Sequence, residues 1–473
     1  MTAQVLVRQL FAPPGADAAH TRHLLAQAAG AHARLLQSSG DTRHESLIRL
    51  CEVVNQFMHS PASALEKRLV LDDPQFVEAL HALAGESTAL AEWDATVAPG
   101  CPRPPAERES SLGHGRLGNI VAALALRQRR SWCGQVALAT DHYGRMHLPF
   151  CDWAIALVDE RGTDAELLAD QTILLELDEH EARWSLSDAR DASLCRMPRA
   201  TFDGAFIDNR AAIDPRGVDC ASGSVRARLE RGRRLGDTRI VFQPIGPAAP
   251  GLHSETTGAI LVSLLRAIAE NAPSIFQQLC QCIRTIHGFE LPSYGQGQIA
   301  SFSVPTSPGI IGFNVAYTPR DEPCLSPYCF MWLGHELGHT LHYLIDSVSH
   351  THGWRFLENP GDLTPVIPRY GRSLSVRTLF QVPYVHLFEW WLLMLFVERR
   401  FACLPWQTFD DAWDVGEDVH CEIEEAFELI AQHARLTAMG EAAIERLREL
   451  SGEALARWRA LPKAPGHRRA RAG

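Results

Sequence analysis

Hydrophobic residues recur at helical spacing in three long parts of the chain. Residues 18–96, 256–287 and 408–460 place apolar side chains three and four positions apart, as on one face of a helix. Residues 132–245 instead contain short, partly alternating apolar runs separated by turn residues, as in "QTILLELDEHEARWSLS", and this pattern predicts β-strands. The sequence therefore predicts an α+β fold that is mostly helical.

Breaks in this pattern predict the organisation of the chain. The stretch "VAPGCPRPPAERESSLGHG" is rich in proline, glycine and serine, which are typical of loops and linkers. The predicted parts are a helical N-terminal region (1–96), a linker or long loop (97–116), a β-rich region (117–250), a helical metal-site domain (255–460) and a basic tail (461–473).

The stretch "GHELGHTLHY" contains an H-E-x-x-H motif, formed by His335, Glu336 and His339. Residues four apart lie on the same face of a helix, so both imidazoles can reach one metal ion. Ser326 can cap a helix predicted at about 327–346, and Pro327 suits its first position. Neutral imidazole binds zinc and iron(II) alike, so the two histidines do not choose between these metals.

Two glycines, Gly334 and Gly338, accompany the histidines on this helix. Each lowers the stability of a helix by roughly 1 kcal/mol relative to alanine. We therefore expect a compensating interaction, either the close approach of another backbone or a metal with its ligands.

Three residues are candidates for a third ligand. Glu358 lies near a thermolysin-like offset, but Pro360 and Gly361 follow it and disfavour a helix there. His386 and Glu389 lie three residues apart on a predicted apolar helix (383–402), which places them on one face. Ionisable groups on an apolar helix need partners when they are buried. The residues leave open which of the two contacts the metal.

Composition narrows the classes of partner. The net charge of −11 argues against a general nucleic-acid surface, and the most apolar run, 385–397, is too short to cross a bilayer and predicts a buried helix. The twelve cysteines include no C-x-x-C, and the N-terminus has no pattern of an export signal. We expect a cytoplasmic protein that binds neither nucleic acid nor membrane.

Four blocks in order resemble a known enzyme family. They are "ASFSVPTSPGIIGFN", the H-E-x-x-H helix followed by "LIDS", "PRYGRSLS" and "VPYVHLFEWW", and together they span roughly residues 255–400. This order resembles the HExxH-type 2-oxoglutarate-dependent peptide β-hydroxylases, which occur with biosynthetic clusters for ribosomally made, modified peptides.

The resemblance implies an iron(II) enzyme that uses 2-oxoglutarate and O2 to hydroxylate a side chain of a peptide, which can carry a leader segment. His335, His339 and His386 would be the metal ligands, and Glu336 would orient water or a ligand. The far carboxylate of 2-oxoglutarate needs a planar, bidentate cation. Arg372 is the best-placed arginine, and Arg369 and Arg377 are close alternatives.

Two other hypotheses remain open. "HELGHTLHY" is also similar to the thimet-oligopeptidase-type gluzincins, which are zinc peptidases. Their ligand glutamate would fall on Gln381, a poor zinc ligand, so this hypothesis needs Glu389 as the third ligand and Glu336 as the general base. A third hypothesis is a structural, non-catalytic metal site in a peptide-binding protein.

Overall fold

The computed structural model describes most of the C-terminal half of the chain and separate strands before it. The described residues are 3–14, 119, 122, 134–139, 145–147, 153–159, 172–177, 181–186, 193–198, 219–222, 225–231, 233–238, 240–244, 252–289, 301–303, 309–314, 326–351, 353–401 and 409–462. Of these residues 69% are helical, which confirms the predicted, mostly helical α+β fold.

Seven helices lie within the described residues. They are α1 (Ala3–Leu10), α2 (Leu252–Asn271), α3 (Pro273–Cys282), α4 (Pro327–Thr351), α5 (Val376–Arg399), α6 (Phe409–His433) and α7 (Ala438–Ala460). The helix α1 packs on α7, where Arg8 forms an ion pair with Glu449. The rest of the predicted helical N-terminal region and the linker at 97–116 lie outside the described residues, as does the basic tail beyond residue 462.

Thirteen strands are described, and they form three sheets. The strands are β1 (Gly134–Ala139), β2 (Arg145–His147), β3 (Trp153–Asp159), β4 (Thr172–Leu177), β5 (Glu181–Leu186), β6 (Ser193–Pro198), β7 (Asp219–Ser222), β8 (Val225–Arg231), β9 (Arg233–Arg234), β10 (Val241–Pro244), β11 (Thr285–Phe289), β12 (Ser301–Ser303) and β13 (Ile310–Asn314). Eight of them form two antiparallel sheets, with the orders β1-β4-β5-β6 and β2-β3-β8-β7. The predicted strands at 132–245 are thus confirmed.

The third sheet belongs to the helical half and has the order β12-β13-β11-β10-β9. Its central strands β10, β11 and β13 are parallel, and the edge strand β12 pairs antiparallel with β13. The pattern of residues 256–287 predicted helix throughout, which is wrong at β11, because Thr285 to His287 pair with both neighbouring strands. The strand, turn and strand predicted at 300–318 correspond to β12 and β13.

The apolar helix α5 lies at the centre of the helical core. It packs against α4, α6 and α7, and Trp390, Phe388 and Leu393 are almost completely buried. By length and composition α5 could cross a membrane, but 89% of its most apolar window is buried inside the protein, as in a core helix. The prediction of a buried helix at 385–397 is confirmed.

The bounds of the two long helices differ from the prediction. The helix α4 ends at Thr351 rather than near 346, and α5 begins at Val376 rather than at Pro383. Ser375 caps α5, because its side chain accepts a hydrogen bond from the backbone N–H of Thr378. Pro383 therefore lies inside the helix, where the buried side chains of its first two turns stabilise the helical conformation.

Candidate metal centre

The helices α4 and α5 are in backbone contact at the two glycines of the motif helix. A Cβ atom at Gly334 would lie 2.5 Å from the carbonyl oxygen of Phe388 and 2.9 Å from the Cα of Glu389. A Cβ atom at Gly338 would lie 2.8 Å from the Cα of Val385. The predicted close approach of a second backbone is therefore confirmed, and it brings the motif histidines beside the candidate ligands on α5.

The two motif histidines face each other through the same ring nitrogen. Nε2 of His339 lies 3.2 Å from Nε2 of His335. Two nitrogens bound to one metal at about 2.0–2.1 Å, with octahedral to tetrahedral angles, lie roughly 2.8–3.4 Å apart. The pair therefore has the spacing of two ligands of one ion.

A carboxylate holds the opposite edge of the His335 ring. Nδ1–H of His335 donates a hydrogen bond of 2.9 Å to Oε2 of Glu389, a buried residue. Burial alone would lower the pKa of His335, but this hydrogen bond and the charge of Glu389 outweigh it and raise the pKa to about 9. The pKa of His339 lies well below its usual value because of burial and the neighbouring histidines. The contact with Glu389 fixes Nδ1 as a donor and directs Nε2 toward His339.

The ring of His386 lies against the same cluster. Its centroid is 5.3 Å from that of His335, and its Nδ1 lies 3.2 Å from Oε2 of Glu389. Ligand-capable atoms of His335, His386 and Glu389 all lie within 4.8 Å of one another. The two candidates for the third ligand on α5, His386 and Glu389, are thus in the cluster.

Glu422 of α6 is a member of the site that sequence reasoning missed. Its Oε2 lies 3.0 Å from Nδ1 of His386, and its Oε1 accepts a hydrogen bond of 2.7 Å from Arg369. Although burial raises the pKa of Glu422, His386 and then Arg369 lower it to about 2. Glu422 lies three residues after Val419 and four before Ala426, both buried. A glutamate in the apolar stripe of an amphipathic helix could have indicated this role.

The three candidate arginines have different surroundings. Arg369 is held by Glu422, and Arg377 donates to Oδ2 of Asp346 at 3.0 Å, so both have carboxylate partners. Arg372 is exposed in the loop between α4 and α5 and forms no ion pair within the described part of the chain. Of these three arginines, Arg372 is thus the one whose guanidinium has no carboxylate partner among the described residues.

Glu336 and Gln381 complete the surroundings of the histidines. Glu336 is 1% exposed; burial raises its pKa, and a hydrogen bond from Ser301 of the edge strand β12 lowers it in part. Its Oε2 has no hydrogen-bond partner among the described residues. The buried Gln381 side chain forms a hydrogen bond with His339.

Glu358, the candidate at the thermolysin-like offset, is not a member of the cluster. It is exposed in the loop that follows α4, and its backbone N–H donates to the carbonyl of Arg435. The structure therefore brings together His335, His339, His386 and Glu389 and leaves Glu358 aside.

The donor set suits a divalent transition metal. Imidazole nitrogens with adjacent carboxylates are a usual environment for zinc or non-haem iron. The buried Oε2 of Glu336 is a further polar atom for which the described part of the chain supplies no partner. No model of a known protein family matches the chain, and a search of curated proteins finds no significant match.

Proposed function

We propose that this protein is an iron(II)- and 2-oxoglutarate-dependent hydroxylase that acts on a peptide side chain. The observation that carries the proposal is the orientation of His335, whose Nδ1 contacts Glu389 while its Nε2 faces Nε2 of His339. This orientation favours a set of three imidazole ligands with the carboxylate outside it. The resemblance of the four sequence blocks to the hydroxylase family is the basis for proposing a peptide as the substrate and 2-oxoglutarate as the co-substrate.

The position of Glu389 argues for a supporting role. Nδ1 and Nε2 lie on opposite edges of an imidazole ring, so a metal held by the two facing Nε2 atoms has the His335 ring between itself and Glu389. His386 likewise turns its Nδ1 toward Glu389 and Glu422, which leaves its Nε2 for the metal. Carboxylates that hold the far nitrogen of a ligand histidine fix its orientation and raise its basicity.

The remaining residues bind and orient the reactants. When bound, iron(II) with O2 supplies oxidation of a substrate C–H bond, as 2-oxoglutarate becomes succinate and CO2. Arg372 binds the far carboxylate of 2-oxoglutarate through its planar fork. Glu336, buried beside the metal ligands, orients water or a ligand there. Glu422 fixes the ring of His386.

A zinc peptidase is the second candidate, and one observation favours it. Glu336 is buried beside the motif histidines, and one of its carboxylate oxygens has no partner within the described residues, as a general base for a zinc-bound water requires. In that function Glu389 would bind the metal, and the His335 ring would have to turn away from its present hydrogen bond. Gln381, at the place of the gluzincin glutamate, would only contact His339.

Two assays on the full chain separate these functions. For a hydroxylase, anaerobic addition of 2-oxoglutarate to the iron(II)-loaded protein should produce the visible absorbance of an α-keto acid chelated to iron(II). Succinate should then form from 2-oxoglutarate in the presence of O2 and a peptide library. For a peptidase, the zinc-loaded protein should cleave the same library and 2-oxoglutarate should have no effect.

Variants test whether the signal comes from this site. His335→Ala should lose the metal and the 2-oxoglutarate absorbance, because a ligand is missing. His433→Ala is the matched control, because His433 is half-buried at the end of α6 and belongs to no part of the cluster. Full stoichiometric iron(II) in His335→Ala would contradict the site, and cleavage without absorbance would replace the hydroxylase by the peptidase.

A further inference from the structure

A cavity lies further along α4, beyond the candidate metal centre. Its volume is about 260 Å³, and His342 and Asp346 line it from α4 while Arg377 and Phe380 line it from α5. A cavity of roughly 150 Å³ is large enough to hold benzene, so this one has room for a single substituted ring. His342 follows His339 by three residues, which is a rise of about 4.5 Å along the helix.

The floor of this cavity holds polar groups without partners. His342 is 1% exposed, and neither ring nitrogen has a hydrogen-bond partner within the described residues. Asp346 Oδ2 is 3.6 Å from Nδ1 of His342, which is too long for a hydrogen bond. The hydroxyl of Ser349, also buried, has no partner there either. A buried polar group without a partner costs about 1–3 kcal/mol, so a ligand hydroxyl that pairs with these atoms would be favoured.

The charges around the cavity cancel. Asp346 and Arg377 form an ion pair of 3.0 Å inside it, and the exposed Arg355 and Glu358 supply one charge of each sign at its edge. A ligand with a net charge would therefore have one like charge nearby for each opposite charge, so the cavity favours neither an anion nor a cation. Burial lowers the pKa of His342, so its ring is neutral and offers one donor and one acceptor.

Aromatic rings form the walls. Phe356 and Phe380 stack with their centroids 5.6 Å apart, and Trp354 lines the same cavity. The His342 ring meets Phe380 edge to face at 6.4 Å. Flat walls of this kind bind a flat ring, since aromatic pairs gain about 0.5–1.5 kcal/mol beyond the area they bury.

From this arrangement we propose that the cavity is a second binding site, for a neutral aromatic ring that carries a hydroxyl group. The ring lies between the aromatic walls, and its hydroxyl contacts His342 and Ser349. The ring can belong to a free small molecule or to a tyrosine side chain of a peptide. This site does not depend on the metal or on the proposed hydroxylation.

Binding of p-cresol to the full chain tests the proposal, with toluene as the control that lacks the hydroxyl. Ligand-observed NMR and calorimetry should detect p-cresol binding as purified and equally after removal of metal with a chelator. Toluene should bind about tenfold more weakly, because it leaves His342 and Ser349 without partners. In His342→Leu the preference for p-cresol over toluene should shrink severalfold, because only Ser349 remains to pair with the hydroxyl.

A second variant keeps the test decisive if His342→Leu does not fold. Ser349→Ala should weaken p-cresol binding severalfold and leave toluene binding unchanged. Ser451→Ala, the same change at a buried serine of α7 outside the cavity, should leave both unchanged. N-acetyl-tyrosinamide and a tyrosine-containing peptide then show which source of the ring fits, and binding of either supports the site.

Three results would overturn the proposal. The first is no p-cresol binding to the folded wild-type chain. The second is equal affinity of wild type for p-cresol and toluene, since the polar floor would then play no part. The third is loss of p-cresol binding on chelation, which would place the probe at the metal centre. None of these results bears on 2-oxoglutarate turnover, so failure here and failure of the proposed function are distinct.

Discussion

Replacing Gly334 by alanine should separate the two helices that build the metal centre. In an ordinary exposed helix this change stabilises by roughly 1 kcal/mol, because alanine loses less conformational entropy than glycine. Here the new Cβ would lie 2.5 Å from the carbonyl oxygen of Phe388 and 2.9 Å from the Cα of Glu389. Both atoms belong to the backbone of α5, so no side-chain rotation can relieve the overlap.

The expected change in the free energy of unfolding combines the cost of this steric overlap with the gain in helix propensity. Overpacking of this kind costs typically 1–3 kcal/mol, and it acts against a helix-propensity gain of roughly 1 kcal/mol. We expect a net loss of up to about 2 kcal/mol in the free energy of unfolding. The helices must also move apart, so His335 and His386 no longer meet at one metal and iron(II) affinity should fall at least about tenfold.

Guanidinium unfolding of the metal-free protein, followed by iron(II) titration, measures both effects. Gly452→Ala is the matched control, because Gly452 lies within α7 and a Cβ there meets nothing within 4 Å. That variant should gain up to about 1 kcal/mol and keep its metal affinity. If Gly334→Ala were stabilised like the control and bound iron(II) normally, the backbone contact between α4 and α5 would be refuted.

Three further predictions concern the ligands and the co-substrate. His386→Ala should lose iron(II) and 2-oxoglutarate turnover, whereas Glu389→Gln should keep the metal and lose only part of the rate. Metal analysis that finds the metal lost in Glu389→Gln and kept in His386→Ala would favour the peptidase. Arg372→Ala should raise the KM for 2-oxoglutarate about tenfold, because the far carboxylate loses its partner. Arg435→Ala, at another exposed arginine, should leave this KM unchanged. An unchanged KM in Arg372→Ala would remove Arg372 from the site. Because the pKa of His335 is about 9 without metal and a ligand imidazole must be neutral, metal binding releases a proton at any pH below this value. Metal affinity should therefore rise up to about tenfold per pH unit as the pH approaches about 9 and then level off. Affinity independent of pH in chelator competition would contradict this.

Local signals in the sequence predicted the motif helix and failed where distant residues decide the conformation. Ser326 and Pro327 mark the start of α4, because capping and a missing N–H act within one turn. The segment from Thr285 to His287 continues a helical pattern and yet forms β11, since it pairs with β10 and β13 on both sides. No window of local sequence contains those partners.

In the candidate site, too, some features follow from local sequence and others depend on distant residues. The spacing of the H-E-x-x-H motif by itself determined that His335 and His339 share a helix face, because the helical repeat is a local property. The sequence also indicated His386 and Glu389 as two ionisable residues on one face of an apolar helix. It left open which nitrogen of each histidine faces a carboxylate.

Only the tertiary structure decided those contacts. Glu389 reaches Nδ1 of His335 because the glycines of α4 admit the backbone of α5, and Glu422 reaches His386 from a third helix. These partners are 54 and 36 residues apart in the chain. The packing of three helices therefore sets the orientation of the ligand imidazoles, while the sequence sets only which imidazoles are available.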